Sequence, residues 1–306
     1  MSERLGVKEQ STVNGRPAQV ASDETASAPE PIPSTVIEVS SRFGWRLNVG
    51  ELWRARELVF FLAWRDVKVR YKQTVLGVAW AVLQPALWLI IFTMFLGRYV
   101  AADGIGGLPY PVFVLAGIVP WLFFATAVST ASNSIVSSER FITKIYFPRL
   151  AIPTAAVGAA LVDFAISVSL LAAIALYWEI MPGWNLLLAP VIFGLIVCAA
   201  LGLGIWLAAL NVAYRDVRHA VPFLIQVGMF ATPTIYSQPA ATSSRAVQAL
   251  MIGNPLTALI AAFRASLTDQ PLDGAAVARS AGVVLVVLVT GCLYFRRVED
   301  QFADII

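Results

Sequence analysis

Few residues in this chain could support acid–base or metal chemistry. His219 is the single histidine, and the two cysteines, Cys198 and Cys292, both lie in apolar runs. Cysteines in such runs are typical of small core residues rather than of disulfides or metal ligands. Asp163 is the one acid deep in an apolar stretch. A carboxylate there is costly in hydrocarbon, so it is expected to face a helix interface or a polar cavity, with a proton relay as the alternative.

Nucleotide and metal chemistry have no visible residue set. The chain contains no Gly-x-x-x-x-Gly-Lys-Ser/Thr loop, which is the usual cradle for nucleotide phosphates. One histidine and one isolated acid do not make the cluster that a hydrolytic or metal site needs. We therefore predict no catalytic residue, no metal site and no cofactor in this chain. A formal net charge of only +3 gives nucleic-acid binding no support.

The composition predicts an integral membrane protein. Of 306 residues, 58% are hydrophobic and 13% charged, against about 25% charged in an ordinary soluble domain. About 20 apolar residues cross ~30 Å of hydrocarbon as a helix, and six stretches approach that length: 77–97, 110–132, 151–177, 186–210, 220–237 and 279–295. The stretch 253–268 is too short to span and is interpreted as re-entrant or interfacial helices. The expected fold is all-α.

The charges divide the chain into regions and orient it. Residues 1–41 are rich in Ser, Pro, Ala, Glu and Thr and predict a disordered cytoplasmic tail. Residues 42–75 are the predicted interface-helix region, and 76–306 the six-span domain. With the N-terminus inside, fifteen Lys and Arg flank the inner ends of the spans and four lie outside. This asymmetry predicts that both termini are cytoplasmic.

The segment before the first span predicts an amphipathic helix in the membrane interface. Aromatic and apolar residues follow one helical stripe and cations another, which suits rings at headgroup depth and basic groups in contact with lipid or water. A plain positive-inside anchor is the alternative. The candidate interface residues are Trp53, Trp64, Arg65, Asp66, Lys68, Arg70 and Tyr71.

The same segment carries a family resemblance. The string Arg65-Asp-Val-Lys-Val-Arg-Tyr-Lys-Gln-Thr-Val-Leu-Gly77, followed by Trp80 and Pro85, resembles the signature of type-2 ABC-exporter permeases. Within that class it is similar to the branch that exports polysaccharides and polyol phosphates, such as O-antigen, capsule and teichoic acid. Asn211–Val217, Pro233–Tyr236 and Asn254–Leu256 also resemble the family, over roughly residues 42–306.

The resemblance implies an ATP-driven exporter that moves a lipid-linked cell-surface polysaccharide across a bacterial cytoplasmic (inner) membrane. It implies a homodimer of this chain with two copies of a separate ATPase, which bind the ATP and Mg. Two cytoplasmic segments would couple to that ATPase. Their candidate residues are Glu139, Arg140, Phe141, Lys144, Tyr146, Phe147, Pro148, Arg149, Tyr214, Arg215 and Asp216.

Aromatic side chains in the spans are candidates for a sugar path, since aromatic faces stack weakly on sugar C–H surfaces. They are Trp88, Phe92, Trp121, Phe123, Phe124, Phe230 and Tyr236, and lipid contact is the alternative for each. The resemblance places the start of the outer gate helices at Asn254 and Pro255. Arg264, in the re-entrant stretch, is a further candidate gate residue because a cation cannot easily face lipid, with contact to lipid headgroups as the alternative. Gly194, Gly202 and Gly204 are predicted to permit close helix packing.

Two other functions remain open at this stage. The first is a drug or small-molecule exporter of the same ABC class, although the Arg65–Tyr71 string favours the glycan branch. The second is a membrane-embedded enzyme that acts on lipid-linked glycans, which the scarcity of acids and histidines disfavours.

Overall fold

A computed structural model describes residues 49–72, 77–97, 105–139, 147–236, 251, 253–299 and 302. Over these ranges the chain forms helices and turns and contains no β-strand, as the all-α prediction requires. The tail predicted for residues 1–41 lies outside the described residues.

The described residues form nine α-helices. Their bounds are α1 Val49–Arg54, α2 Arg56–Lys72, α3 Ala79–Leu96, α4 Tyr110–Ser137, α5 Ala151–Tyr177, α6 Ala189–Ala213, α7 Val217–Ala231, α8 Pro255–Leu267 and α9 Gly274–Val298. A short 3₁₀ helix, Trp184–Leu188, leads into α6. Among the described residues, five segments are long and apolar enough to cross a membrane, namely α3, α4, α5, Trp184–Ala213 and α9.

The fifth predicted span, 220–237, is shorter as a helix than its apolar run. Helix α7 has 15 residues, about 22 Å at ~1.5 Å per residue, which falls short of ~30 Å of hydrocarbon. It ends at Ala231 because Thr232 is extended, with φ −107° and ψ 130°, and Pro233 has no N–H to continue the helix. The six-span count is therefore not confirmed.

Two apolar clusters define the ends of the bundle. One joins Ile135 near the end of α4, Leu150 before α5, Val212 near the end of α6 and Phe295 of α9. We call this the inner cluster, and the opposite end of the bundle the outer end, after the orientation predicted from the charges. The other joins the opposite ends of α4, α5 and α6 to Phe263 of α8. Helix α8 therefore lies at the end of the bundle away from the inner cluster.

Glycines let α6 approach its neighbours closely. A Cβ on Gly202 would lie 2.7 Å from the Leu288 Cα of α9, and one on Gly204 would lie 2.7 Å from the Ala131 Cβ of α4. Both distances are shorter than van der Waals contact, so the close packing predicted at these two positions is confirmed. At Gly194 no atom of the described residues lies within 4 Å of the Cβ position, so the close packing predicted there is not found within this part of the chain.

Candidate functional site

The predicted gate residue Arg264 is buried between α8, α4 and the segment after α7. Its Nε donates to the Phe113 carbonyl at 3.1 Å and its Nη2 to the Thr234 carbonyl at 2.7 Å. The guanidinium also lies 3.7 Å from the centre of the Phe113 ring. Only 7% of the residue is exposed. Main-chain oxygens and an aromatic face therefore hold this cation, rather than lipid headgroups.

The non-helical segment 232–236 is satisfied by side chains from other elements. Besides the bond from Arg264, the Tyr110 hydroxyl donates to the Ile235 carbonyl at 3.3 Å. The Asn254 amide donates to the Thr232 hydroxyl at 2.8 Å. Irregular backbone at membrane depth is tolerated only where such internal partners exist. These contacts explain how the chain can leave the helix at Ala231.

Asn254 and Pro255 also start α8. The Asn254 side-chain oxygen accepts from the Leu256 N–H at 3.1 Å, which caps the helix, and Pro255 occupies the first turn, where no N–H is needed. Gly117 of α4 completes the contact, since a Cβ there would overlap the Thr234 carbonyl oxygen and the Arg264 guanidinium. The three predicted gate residues thus converge on the end of α7.

The two predicted coupling segments lie at the same end of the bundle. Phe147 packs against the inner cluster, and Tyr214 follows two residues after Val212, a member of that cluster. Tyr214 is 63% exposed, and Arg215, Asp216 and Glu139 are exposed as well. Pro148 and Arg149 are half-buried beside Phe147. The predicted coupling residues Arg140, Phe141, Lys144 and Tyr146 lie outside the described residues.

Helix α2 packs one face on α5 and exposes the aromatic residues Phe60 and Trp64. Leu62 is buried, and a Cβ on Gly158 of α5 would contact the Ala63 Cβ at 3.5 Å. On the exposed face, Lys68 Nζ lies 5.6 Å from the centre of the Trp64 ring. The predicted stripes of rings and cations are therefore adjacent, and some cations lie over the rings. Trp53 is exposed in the same way, beneath Arg56.

Two interface residues meet the intramembrane acid. Arg70 forms an ion pair with one carboxylate oxygen of Asp163, and the Tyr71 hydroxyl donates to the other. Burial, and then the hydrogen bond to Asp163, raise the pKa of Tyr71 above its ordinary value, so the phenol stays a donor. Another prospective interface pair, Arg65 with Asp66, bonds within α2 at 2.8 Å.

A crevice of about 380 Å³ opens beside this cluster, between α2, α3, α4 and α5. Pro85 of α3 has no N–H for the Ala81 carbonyl. The Ser167 hydroxyl of α5 lies 3.3 Å from that oxygen and 2.8 Å from the Asp163 carbonyl. A polar side chain thus compensates the helix break across the α3–α5 contact.

The sequence of this helix bundle matches a known family of transporters. The sequence profile described as ABC-2 type transporter matches residues 57–268. The chain belongs to the ABC-2 type transporter family. It is a multi-pass membrane transport protein, and the family is one of permeases rather than enzymes.

Several curated relatives resemble this ABC-2 chain over most of its length. An O-antigen export system permease protein, RfbA, of Myxococcus xanthus is 30% identical over 257 residues, covering 84% of this chain and 98% of the relative. A Klebsiella pneumoniae protein of the same description is 25% identical, covering 85% and 98%. The polysialic acid transport protein KpsM of Escherichia coli is 22% identical, covering 77% and 91%.

The path aromatics of this ABC-2 chain do not share one surface. Trp88 and Phe92 stack on each other at 5.3 Å between ring centres. Phe123 packs edge-on to Phe164 and Phe193 in the core. Trp121 and Phe124 line an apolar cavity of about 520 Å³ between α4, α6, α7 and α9. Phe230 is exposed, and the Tyr236 hydroxyl donates to the Phe230 carbonyl.

A polar contact between α6 and α4 of this ABC-2 chain was not predicted from the sequence. The Asn211 amide of α6 donates to the Ser132 carbonyl at 2.9 Å and to the Asn133 side-chain oxygen at 3.1 Å. Asn211 stood in a segment recognised only by its resemblance to a cytoplasmic loop. The signal available was a polar residue that ends an apolar run, and such residues often bond across helices.

Proposed function

We propose that this chain is the membrane-spanning subunit of an ATP-driven exporter that moves a lipid-linked cell-surface polysaccharide across the bacterial cytoplasmic (inner) membrane. The observation that carries the proposal is the similarity to the Myxococcus xanthus O-antigen export permease, which covers 98% of that relative. A relative named for polysialic acid transport extends the similarity to a second polysaccharide. The membrane family fits the same role.

The placement of the two candidate regions supports an ATP-driven cycle. The exposed coupling residues Tyr214, Arg215 and Asp216 follow α6 at the inner cluster, where an ATPase in the cytoplasm would bind. The Arg264 contacts lie at the opposite end. Two copies of this chain and two of the ATPase, which binds ATP and Mg, make the working complex. Movement at the coupling segments then reaches the gate through the helices that join the two ends.

The proposal includes how α2, α7, α8 and the two termini lie relative to the membrane. Helix α7 together with residues 232–236 forms the remaining crossing, the fifth in chain order, because the internal hydrogen bonds to the Thr234 and Ile235 carbonyls lower the cost of leaving the helix. Helix α8 has 13 residues, too few to cross, and re-enters from the outer side. Helix α2 lies in the inner interface with its exposed rings toward lipid. Both termini are cytoplasmic.

Reconstitution tests the proposal. The full chain and its ATPase partner are placed together in proteoliposomes with a radiolabelled lipid-linked glycan, and transfer of the label across the bilayer is followed. We expect transfer that requires ATP and stops when the phosphate-binding Lys of the ATPase is replaced by Ala. Transfer without the ATPase would contradict the proposal. Export of a hydrophobic dye with no glycan transfer would favour the drug-exporter alternative.

A further inference from the structure

The crevice between α2 and α5 presents a charge pair that is neutral overall. Asp163 and Arg70 bond to each other, yet 22% and 33% of their side chains remain exposed, and both residues line the cavity. The opposite charges of the pair largely cancel for a ligand in the crevice. The pair therefore provides no net charge that would select an anionic or a cationic ligand.

Neutral hydrogen-bonding groups line the rest of the crevice. Gln84 of α3 is exposed, and its amide is not engaged by another side chain in the part of the chain that the structure describes. Thr126 and Thr130 of α4 add two hydroxyls. The Thr130 hydroxyl donates to its own helix at 2.7 Å, which leaves its oxygen able to accept. Together with the Asp163 carboxylate, these groups suit a ligand rich in hydroxyls.

An aromatic face lies beside these polar groups. Trp80 lines the crevice and is 50% exposed. A flat apolar ring next to amide and carboxylate oxygens matches a pyranose, which has C–H bonds on its faces and hydroxyls at its edge. Trp80 is the second residue of α3, whose other end, at Gly97, approaches Tyr110 at the outer end of α4. The crevice therefore lies at the end of α3 away from Tyr110, which the predicted orientation places nearer the cytoplasmic side.

We propose that this crevice binds one neutral pyranose unit of a lipid-linked glycan in the inner leaflet. Trp80 stacks on the sugar face, and Gln84, Thr126 and Asp163 hydrogen-bond its hydroxyls. The inference rests on the proposed function, since it identifies where a single protomer first holds the cargo. The ion pair with Arg70 positions the Asp163 carboxylate and cancels its charge.

Photo-crosslinking of the full chain in lipid nanodiscs tests the site. The probe is an alkyl glucoside with a diazirine next to the sugar, and the competitors are decyl glucoside, decyl phosphate and decyl phosphocholine. We expect adducts on crevice residues that decyl glucoside removes and the two charged-headgroup competitors do not. Trp80→Leu should weaken competition by decyl glucoside roughly three- to tenfold, the loss expected when an aromatic face is removed. Trp184→Leu, at an outer tryptophan that is 88% exposed, is the matched control and should change nothing.

Two further variants sharpen the outcome. Asp163→Asn leaves Arg70 without its countercharge, so decyl phosphate should begin to compete. Gln84→Leu, at an exposed position, should weaken glucoside competition even if Trp80→Leu does not fold. Equal competition by all three headgroups, or adducts outside the crevice, would overturn the site. A glucoside bound in the crevice with no glycan export by the reconstituted complex would instead overturn the proposed function and leave the sugar site standing.

Discussion

Arg264 Nη2 lies 2.7 Å from the carbonyl oxygen of Thr234, so a residue of a short outer helix satisfies the backbone where α7 stops. The same guanidinium binds the Phe113 carbonyl of α4. One buried side chain therefore ties together three elements at the outer end of the bundle. Loss of these Arg264 hydrogen bonds should destabilise the outer end of the bundle more than the end that carries the coupling segments.

Replacing Arg264 by Leu should destabilise the outer end strongly. It would leave the Phe113 and Thr234 carbonyls buried without these donors, at a combined cost of about 2–5 kcal/mol. Thermal unfolding in nanodiscs would measure the loss. Arg279→Leu, at an exposed arginine near the start of α9, is the control and should change stability little. Equal effects of the two variants would show that the Arg264 contacts are not stabilising.

Gly117→Ala should disrupt the same contact from the side of α4. The added methyl would overlap the Thr234 carbonyl oxygen, which is backbone and cannot rotate away. We expect poor yield or a lowered melting temperature and faster proteolysis after α7. Gly282→Ala is the matched control, because no atom in the described part of the chain lies within 4 Å of its Cβ position, and alanine there should be neutral or stabilising by up to about 1 kcal/mol.

Gly202→Ala should separate α6 from α9. Its Cβ would lie 2.8 Å from the Leu288 nitrogen and 2.7 Å from the Leu288 Cα, so the backbones must move apart. We expect a lower melting temperature and an increased distance between spin labels on the two helices. Gly194→Ala makes the same substitution on the same helix at a position with no described atom near the new methyl group. It should leave the melting temperature and the spin-label distance unchanged.

The Tyr71–Asp163 contact should make stability sensitive to alkaline pH. Since burial and the hydrogen bond raise the pKa of Tyr71 in the folded chain, the unfolded chain releases this proton first, at pH about 10. The contribution is present below that pH and is lost as the pH rises above it. Unfolding measured from pH about 8 to 11 should show a downward slope that Tyr71→Phe reduces. An identical slope in the variant would exclude Tyr71 as its source.

Arg215→Glu should weaken coupling without affecting insertion. Arg215 is exposed immediately after α6 at the inner end, and exposed arginines are frequent anchors of protein interfaces. We expect reduced permease-stimulated ATP hydrolysis and reduced glycan export, with normal amounts of protein in the membrane. Arg279→Glu makes the same charge change at the outer end and should leave ATP hydrolysis intact. Normal hydrolysis in Arg215→Glu would place the coupling surface elsewhere.

Long apolar runs made most of the fold predictable, whereas long-range polar pairing did not. The predicted stretch 151–177 matches the bounds of α5, because an uninterrupted apolar run fixes where a helix lies in a membrane. Asp163 was expected to need polar surroundings, but nothing local indicates that Arg70, 93 residues earlier, supplies them. Phe123 illustrates the same limit, since an aromatic in a span has the same pattern whether it lines a path or packs in a core.

Ser167 has one hydroxyl proton and two carbonyl oxygens within reach, one on α3 and one on its own helix. A bend of α3 at Pro85 would lengthen the 3.3 Å contact with the Ala81 carbonyl, while the 2.8 Å hydrogen bond to the Asp163 main-chain carbonyl lies within α5 and would persist. The hydroxyl would then keep an acceptor and would not be left unsatisfied in hydrocarbon. Pro85 of α3 and Ser167 of α5 would therefore let α3 bend beside the crevice at little energetic cost.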